Sequence, residues 1–209
     1  MTTATQHQVP QTGRMRSLEV RWILPGQLES VVAEWFARFP AWVESREDSY
    51  LGNPPLGGLS VKLRAGRALE VKVYQGSPGI LEVAGRARGR LECWDKWSFP
   101  CDPPGPGGAG RPGWCPVRKL IRRFALASGA GVPGPGEEAG CQMELTEVRV
   151  SGQDWWTLAF EATGPASLRR TELEATAALA FAHVLPRGVE LGTDDSQSYA
   201  QWLTSGPVP

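Results

Sequence analysis

Alternation of charged and apolar residues recurs along this chain and limits what it can fold into. In residues 17–24, Leu18, Val20 and Trp22 alternate with Glu19 and Arg21. Successive side chains of a β-strand point to opposite faces, so this period predicts a strand with one buried face and one charged face. Four further segments have the same period and a fifth has a noisier one: residues 59–64, 69–74, 91–97 and 156–161, and residues 142–150.

Three longer segments have apolar residues at helical spacing and predict helices: residues 27–39, 116–127 and 171–184. The first ends at Pro40, and the third opens with Thr171 and Glu174, the spacing of a capping box. A short helical turn is expected at residues 196–203. Strands with a single apolar face need cover on that face. The fold prediction is therefore α+β, a largely antiparallel sheet with helices packed on its apolar side.

The 209 residues are consistent with one domain. Residues 1–13 are polar and predict a disordered tail, and residues 14–205 predict the single domain. Gly and Pro dominate residues 102–113 and 129–140, which predicts two loops.

Composition argues against several classes of protein. The 22 basic and 22 acidic residues balance, unlike proteins that hold nucleic acid by bulk charge. No apolar run approaches the roughly 20 residues of a membrane span. The N-terminus lacks a signal-peptide pattern, so a cytoplasmic protein is expected. Neither oligomeric state nor cysteine pairing can be deduced from the sequence.

Metal and histidine chemistry of the usual kinds is poorly supported. The cysteines form no Cys-x-x-Cys pair, the usual mark of a zinc site. His7 lies in the polar tail, and His183 falls in a predicted helix beside its stop signal. We interpret the thiols as structural and both histidines as incidental.

The charged strand faces allow two interpretations. They can face solvent, as half-covered antiparallel sheets do. Alternatively, the sheet closes or cups and the charges line a polar lumen. A wall of both signs suits a polyanion with a divalent metal, because Lys and Arg neutralise phosphate oxygens and carboxylates hold Mg²⁺ or Mn²⁺. Strand spacing alone leaves both interpretations open.

The order of charged motifs resembles the CYTH, or triphosphate tunnel, superfamily across nearly the whole chain. The matching segments, in order, are Leu18-Glu-Val-Arg21, Asp48-Ser-Tyr50-Leu51, Lys62-Leu-Arg64, Glu70-Val-Lys72, Arg90-Leu-Glu92, the basic pairs Arg118-Lys119 and Arg122-Arg123, Glu144-Leu-Thr, Phe160-Glu161 and Ser198-Tyr199. Members of this superfamily include inorganic triphosphatases, thiamine triphosphatases and class IV adenylate cyclases.

The resemblance implies a closed or cupped antiparallel β-barrel, the tunnel fold, with helices packed outside. It implies a phosphorylated small molecule as ligand, Mg²⁺ or Mn²⁺ as cofactor, and hydrolase or related phosphotransfer activity. Glu92 and Glu161 are the implied catalytic residues, and Glu19, Glu144 and Glu161 the implied metal ligands. The implied ligand-binding residues are Arg21, Lys62, Arg64, Lys72, Arg90 and Arg118.

The chain departs from the family pattern in four places. Ser17, Trp94 and Ala159 stand where carboxylates are usual, and Asp194-Asp195 precedes the last helix where the family has a Lys. Fewer carboxylates weaken a metal site. Two alternatives to a phosphohydrolase therefore remain: a non-catalytic binding or regulatory module, and a diverged enzyme acting on an organic, non-phosphate substrate. Trp94 and Tyr74 on the polar face favour the last. Trp22, Trp35, Trp97 and Trp156 fall on apolar faces and are expected in the core.

Overall fold

A computed structural model describes residues 14–52, 58–83, 85–101, 113–126 and 140–205. Within these ranges the strands are β1 (Arg14–Pro25), β2 (Trp42–Leu51), β3 (Leu59–Arg64), β4 (Ala68–Gly76), β5 (Ile80–Val83), β6 (Ala87–Arg90), β7 (Glu92–Pro100), β8 (Trp114–Leu126), β9 (Gly140–Val150) and β10 (Gln153–Thr163). The helices are α1 (Ser30–Phe36), α2 (Ala166–Ala182) and α3 (Tyr199–Ser205). The predicted tail and, apart from Gly113 and Gly140, both predicted Gly/Pro loops lie outside the described residues.

Eight strands form a closed antiparallel barrel in the order β1-β10-β9-β8-β2-β3-β4-β7, with β7 pairing back to β1. At the closing strand, Glu19 lies opposite Glu161 of β10 on one side and opposite Glu92 of β7 on the other. Strands β5 and β6 form a separate hairpin. The predicted closed barrel is confirmed, and the interpretation as an open, solvent-washed sheet is wrong.

The main hydrophobic core lies outside the barrel, between its apolar face and two of the helices. Trp22 of β1 makes edge-on ring contacts with Phe160 of β10 and Phe181 of α2. Trp35 of α1 stacks on Phe181 at 6.2 Å between ring centroids. Burial of aromatic side chains is a large part of the energy of such a core. This layer holds β1, β9 and β10 in place, and so positions their opposite, charged faces toward the barrel interior.

A second apolar cluster lies at one end of the barrel. Ile23, Val117 and Val148 lie on the same strand faces as the charged residues, and they pack with Trp202 and Leu203 of α3. The short C-terminal helix therefore covers interior-facing residues at this end. The sequence placed a helical turn at residues 196–203, and the observed helix begins three residues later.

The helix predicted over residues 116–127 is wrong, because this segment is the long strand β8. Its apolar residues follow helical spacing because both faces of the strand are partly buried. Val117 and Ile121 point into the barrel, whereas Phe124 packs in the outer core against Phe39. A strand buried on both faces loses the simple period of two.

Two helix boundaries and one tryptophan also differ from prediction. Helix α1 is shorter than residues 27–39. Helix α2 begins at Ala166, directly after Pro165, so Thr171 and Glu174 lie inside the helix and form no capping box. Of the four tryptophans expected in the core, Trp97 is only half-buried and lies beside the Arg14 guanidinium.

No helix in the described ranges has the length and apolarity needed to cross a membrane.

Candidate functional site in the barrel lumen

The charged faces of all eight barrel strands point inward and line one cavity. Closure of the sheet makes this unavoidable, because every second residue of each strand must point to the interior. In the described part of the chain, five carboxylates line the cavity: Glu19, Glu70, Glu92, Glu144 and Glu161. Eight cationic side chains line it with them: Arg21, Arg46, Lys62, Arg64, Lys72, Lys96, Lys119 and Arg123.

Ion pairs fill most of this lumen. Its cavity has a volume of about 90 Å³, below the roughly 300–1,000 Å³ of typical ligand pockets. A ligand of any size therefore enters by displacing some pairs between side chains and replacing them with its own contacts.

Asp48 is the centre of the first ion-pair network and is fully buried. Its carboxylate accepts a hydrogen bond from Arg46 at 2.9 Å, and the ammonium groups of Lys119 and Lys62 lie 3.3 and 3.6 Å away. Burial by itself raises the pKa of Asp48, but these three cations hold it well below its usual range. Asp48 is therefore a fixed negative charge that keeps three cations in place.

Glu144 of β9, two strands from Asp48 in the barrel order, is the centre of a second network. It accepts hydrogen bonds from Arg21 at 3.3 Å, Arg123 at 3.1 Å and the Thr146 hydroxyl at 2.9 Å. Burial opposes ionisation, but Arg123 and Arg21 lower the pKa of Glu144. Arg123 also donates to Glu44 at 2.7 Å.

Further pairs join neighbouring strands. Lys72 donates to Glu19 at 2.6 Å, and the Ser17 hydroxyl donates to the same carboxylate oxygen at 2.5 Å. Glu70 lies 2.9 Å from the Lys62 ammonium and accepts from Arg64 at 3.2 Å. With Glu44 and Asp48 included, seven carboxylates face the eight lining cations in the described residues, so the lumen keeps a small positive excess.

Three lining groups are not neutralised in this way. Within the described residues, Lys96 and Glu161 have no side-chain hydrogen bond and no ion pair within 4 Å. Burial lowers the pKa of Lys96, and the attraction of Glu161 and Glu70 offsets this only in part. Glu92 accepts a hydrogen bond from Trp94 at its Oε2, while its Oε1 is buried without a partner among the described residues. Lys96, Glu161 and Oε1 of Glu92 are therefore the lining groups that can contact a ligand without first losing a side-chain partner among the described residues.

Aromatic rings complete the wall. The Lys119 ammonium lies 3.9 Å from the ring centroid of Tyr199 and donates a hydrogen bond to the Tyr50 hydroxyl at 2.7 Å. The Arg21 guanidinium lies 4.6 Å from the Tyr199 centroid. Such cation–π contacts hold cations in a site that is largely shielded from water.

The structure brings together most, but not all, of the residues predicted for the site. Arg21, Lys62, Arg64 and Lys72 line the lumen, as do the four predicted carboxylates. Arg90 does not, because it is exposed on β6 of the separate hairpin. Arg118 does not either, because it points outward from β8 and pairs with Glu47 on the exterior.

Several lumen residues are not among the predicted site residues, chiefly Arg46, Lys119, Arg123 and Tyr199. Lys119 and Arg123 were assigned to a helix. Had β8 been recognised as a strand, the period of two would have placed these residues on the face opposite Arg118. Arg46 lies two residues before Asp48 in the same strand. Side chains two residues apart in a strand share a face, so the same alternation would have predicted that Arg46 lines the lumen.

The carboxylates fit a divalent metal poorly. Of the three predicted ligands, Glu19 is bound by Lys72, and Glu144 is bound by Arg21 and Arg123. Among the described residues, no three His, Cys, Asp or Glu side chains are placed to share one ion. In the strand register, Ala159 lies between Arg21 and Glu144. The Arg21–Glu144 ion pair therefore spans the position where the superfamily pattern has a second carboxylate.

Comparisons with solved structures return proteins of similar fold at low identity. PH1012 from Pyrococcus horikoshii OT3 has a TM-score of 0.46 and 17% identity, covering 88% of this chain and 98% of that one. The S. pombe RNA triphosphatase Pct1 has a TM-score of 0.39 and 10% identity, covering 82% and 79%. The mimivirus capping enzyme triphosphatase has a TM-score of 0.38 and 9% identity, covering 79% and 89%. No protein-family model matches the chain, and no curated protein matches it significantly.

These similarities concern the fold alone. The predicted resemblance to the CYTH or triphosphate tunnel superfamily is confirmed at the level of architecture, since the barrel is closed, antiparallel, eight-stranded and lined with charge. Substrate and activity have to be argued from the lumen itself.

Proposed function

We propose that this triphosphate-tunnel protein binds a phosphorylated small molecule inside the barrel, with lysine and arginine side chains as the counterions of the phosphate oxygens. The observation that carries the proposal is the convergence of eight cationic side chains, from six of the eight barrel strands, on one cavity. Phosphate groups are bound by such convergent, charge-assisted hydrogen bonds.

Binding needs no metal ion in this proposal. Metal ions bound with phosphates neutralise charge and bridge oxygens. Here Arg21, Arg123 and Lys72 already occupy the carboxylates Glu144 and Glu19 that would hold such an ion. The protein's own cations therefore take the place of the metal, and a ligand anion competes with the carboxylates for them.

Calorimetric titration tests the proposal, with tripolyphosphate, thiamine triphosphate and nucleoside triphosphates as probes. We expect binding in the presence of EDTA, and affinity that falls as salt rises. Arg64→Gln, in the lumen, should weaken binding, whereas Arg118→Gln, on the exterior, should not. Absence of binding to every probe, with EDTA and with Mg²⁺ alike, would overturn the proposal. Binding that requires Mg²⁺ or Mn²⁺ would overturn its metal-free form.

Hydrolysis of the bound phosphate is a second candidate function, favoured by Glu161. Among the described residues this carboxylate lines the cavity without a hydrogen bond or ion pair. Burial raises its pKa, but the positive charges of Lys72 and Lys96 outweigh burial, so the pKa is lowered. An ionised carboxylate without an ion-pair partner among the described residues can accept a proton from water, although its lowered pKa makes it a weak base. Phosphate release with Mg²⁺, Mn²⁺ or EDTA measures turnover. Activity that is lost in Glu161→Gln while binding persists would support this candidate, and no release from any probe would exclude it.

A further inference from the structure

One part of the lumen is unsuited to phosphate oxygens. Glu92 and Trp94 are alternate residues of β7, and both line the cavity. The indole Nε1 of Trp94 donates a hydrogen bond of 3.0 Å to Oε2 of Glu92, which fixes the carboxylate and the ring as one unit. A buried carboxylate repels anions, and an indole ring offers them little, so a different chemical group fits this place.

The second carboxylate oxygen of Glu92 points to what that group is. Glu92 is 4% exposed, and its Oε1 is buried without a hydrogen-bond partner among the described residues. A buried acceptor without a donor is costly and rare in folded proteins. Burial raises the pKa of Glu92, and neighbouring Glu19 raises it further, against the effect of the Trp94 hydrogen bond. A ligand N–H directed at Oε1 would supply the missing partner.

The neighbouring rings suit a planar group. Trp94 is 3% exposed and lies across from Ser17 of β1 and Tyr74 of β4. Tyr74 meets Trp94 nearly edge-on, with 5.3 Å between the ring centroids. An indole at the edge of a cavity is a stacking surface for any flat heterocycle, since every base has a π-face.

The distance to the cations fits a ligand with two chemically different ends. Lys96 is two residues beyond Trp94 on β7 and lies directly opposite Lys72 of β4. Two residues of a strand span about 7 Å. A ring at Trp94 would therefore place groups attached through a short linker beside two ammonium groups, one of which has no ion pair in the described residues.

We infer that Glu92 and Trp94 form a subsite for a planar, nitrogen-bearing ring, so that the ligand is a phosphate ester of a heterocyclic compound, such as a nucleotide, and not inorganic polyphosphate. This inference rests on the proposed function, because it assigns the non-phosphate end of the same ligand. Glu92 Oε1 accepts an N–H of the ring, Trp94 stacks on it, and the lumen cations hold the phosphates.

Calorimetry in EDTA with matched probes tests the inference. The probes are methyl triphosphate, thiamine triphosphate and the four ribonucleoside triphosphates, which share a triphosphate and differ in the attached group. We expect at least one ring-bearing probe to bind about 10-fold tighter than methyl triphosphate, the size of effect that stacking on an aromatic side chain produces.

Variants locate the effect. Trp94→Leu should reduce the preference for the ring-bearing probe to less than about threefold while leaving methyl triphosphate affinity nearly unchanged. Trp97→Leu is the matched control, because Trp97 lies on the same strand but is not among the residues lining the cavity. Glu92→Gln keeps the size of the side chain and tests the subsite even if Trp94→Leu does not fold. It should also lower the preference, since one acceptor site becomes a donor.

The outcomes separate the two proposals. Equal binding of all probes would overturn the inference and leave the proposed function standing. Failure of every probe, methyl triphosphate included, would overturn both. Mn²⁺ binding that disappears in Glu92→Gln would assign Oε1 to a metal ion and would also overturn the inference.

Discussion

The ammonium of Lys119 lies 3.9 Å from the ring centroid of Tyr199, the first residue of the C-terminal helix. The same ammonium lies 3.3 Å from Asp48, on the neighbouring strand. One buried cation thus joins the strand wall, a buried carboxylate and the helix that covers this end of the barrel. The lumen charges contribute to the architecture as well as to the proposed ligand site.

Replacing Asp48 with Asn should destabilise the protein strongly. The substitution leaves Arg46, Lys62 and Lys119 facing one another without their shared carboxylate. Breaking a buried ion pair by removing one partner costs about 3–5 kcal/mol. Denaturant unfolding measures the loss. The control is Glu47→Gln on the outward face, whose pair with Arg118 is exposed and should contribute less than about 1 kcal/mol. Equal stabilities of the two variants would contradict a structural role for Asp48.

Replacing Lys96 with Met should weaken ligand binding without loss of stability. Within the described residues Lys96 has no ion pair, and burial lowers its pKa, so its charge is costly in the free protein. Methionine removes that cost and keeps much of the volume. We expect tripolyphosphate affinity to fall about 10-fold, as for loss of one charge-assisted hydrogen bond, and the unfolding midpoint to stay the same or rise. A large drop in stability with unchanged affinity would contradict this role.

Stability should fall when the pH drops below about 4.5. The ion pairs of Glu44 hold its pKa at about 2, below the ordinary 4.5. A carboxyl with a lowered pKa stabilises the fold above its ordinary pKa, and this contribution is lost as the pH falls through the folded value. For Glu44 the window is therefore pH 4.5 to 2, and Asp48, Glu70 and Glu144 shift in the same direction.

Urea unfolding at a series of pH values from 7 to 2.5 measures this loss. Glu44→Gln should be less stable at pH 7 and should show a shallower decline. Glu92 acts with the opposite sign, because its pKa is raised and ionisation at higher pH opposes folding. Glu92→Gln should therefore not lower stability at pH 7. A wild-type protein equally stable at pH 7 and pH 3 would contradict the ion-pair assignment.

Replacing Gly89 with Ala should destabilise the packing of the hairpin on the barrel. A Cβ at this position would lie 2.5 Å from Cγ2 of Val20 and 2.6 Å from Cζ2 of Trp22, both in the buried core. Neither side chain has free space to move into, and overpacking of this kind costs about 1–3 kcal/mol. Thermal or denaturant unfolding checks the prediction. Gly192→Ala is the control, because its nearest neighbours would lie 3.9 Å or more from the new Cβ.

The positions of strands with one apolar face could be read from the sequence. Charged or polar residues alternate with apolar ones through residues 18–22 of β1, 59–64 of β3 and 69–73 of β4, and less regularly in β10, and each strand is present. When charged and apolar residues alternate, burying the apolar face is the only arrangement that keeps the ions out of the apolar core. The local sequence is therefore sufficient to predict these strands. The resemblance of the motif order to the tunnel superfamily then predicted closure of the sheet.

Strand β8 shows where local reading fails. Val117 and Phe124 are buried on opposite faces of the same strand, so the apolar spacing matched a helix and misassigned Arg118 and Lys119. Arg90 failed for a related reason: the chain leaves the hairpin at Leu91, and the alternation that continues in sequence does not continue in one strand. In a strand, alternate residues point inward, so the alternation tells Lys119 from Arg118. When the segment is assigned to a helix, this alternation is not applied and the inward-pointing residue is not identified.

The sequence by itself determined that strands with one charged face and one apolar face must be assembled into a sheet backed by helices. Alternation alone left open whether this face is enclosed, and only the tertiary structure decided that Lys119 and not Arg118 lines it and that Glu19 and Glu144 are bound by cations. The physical reason is that alternation is a property of neighbouring residues, whereas ion pairs form between residues far apart in the chain. Their geometry exists only after β7 pairs with β1 and the barrel closes.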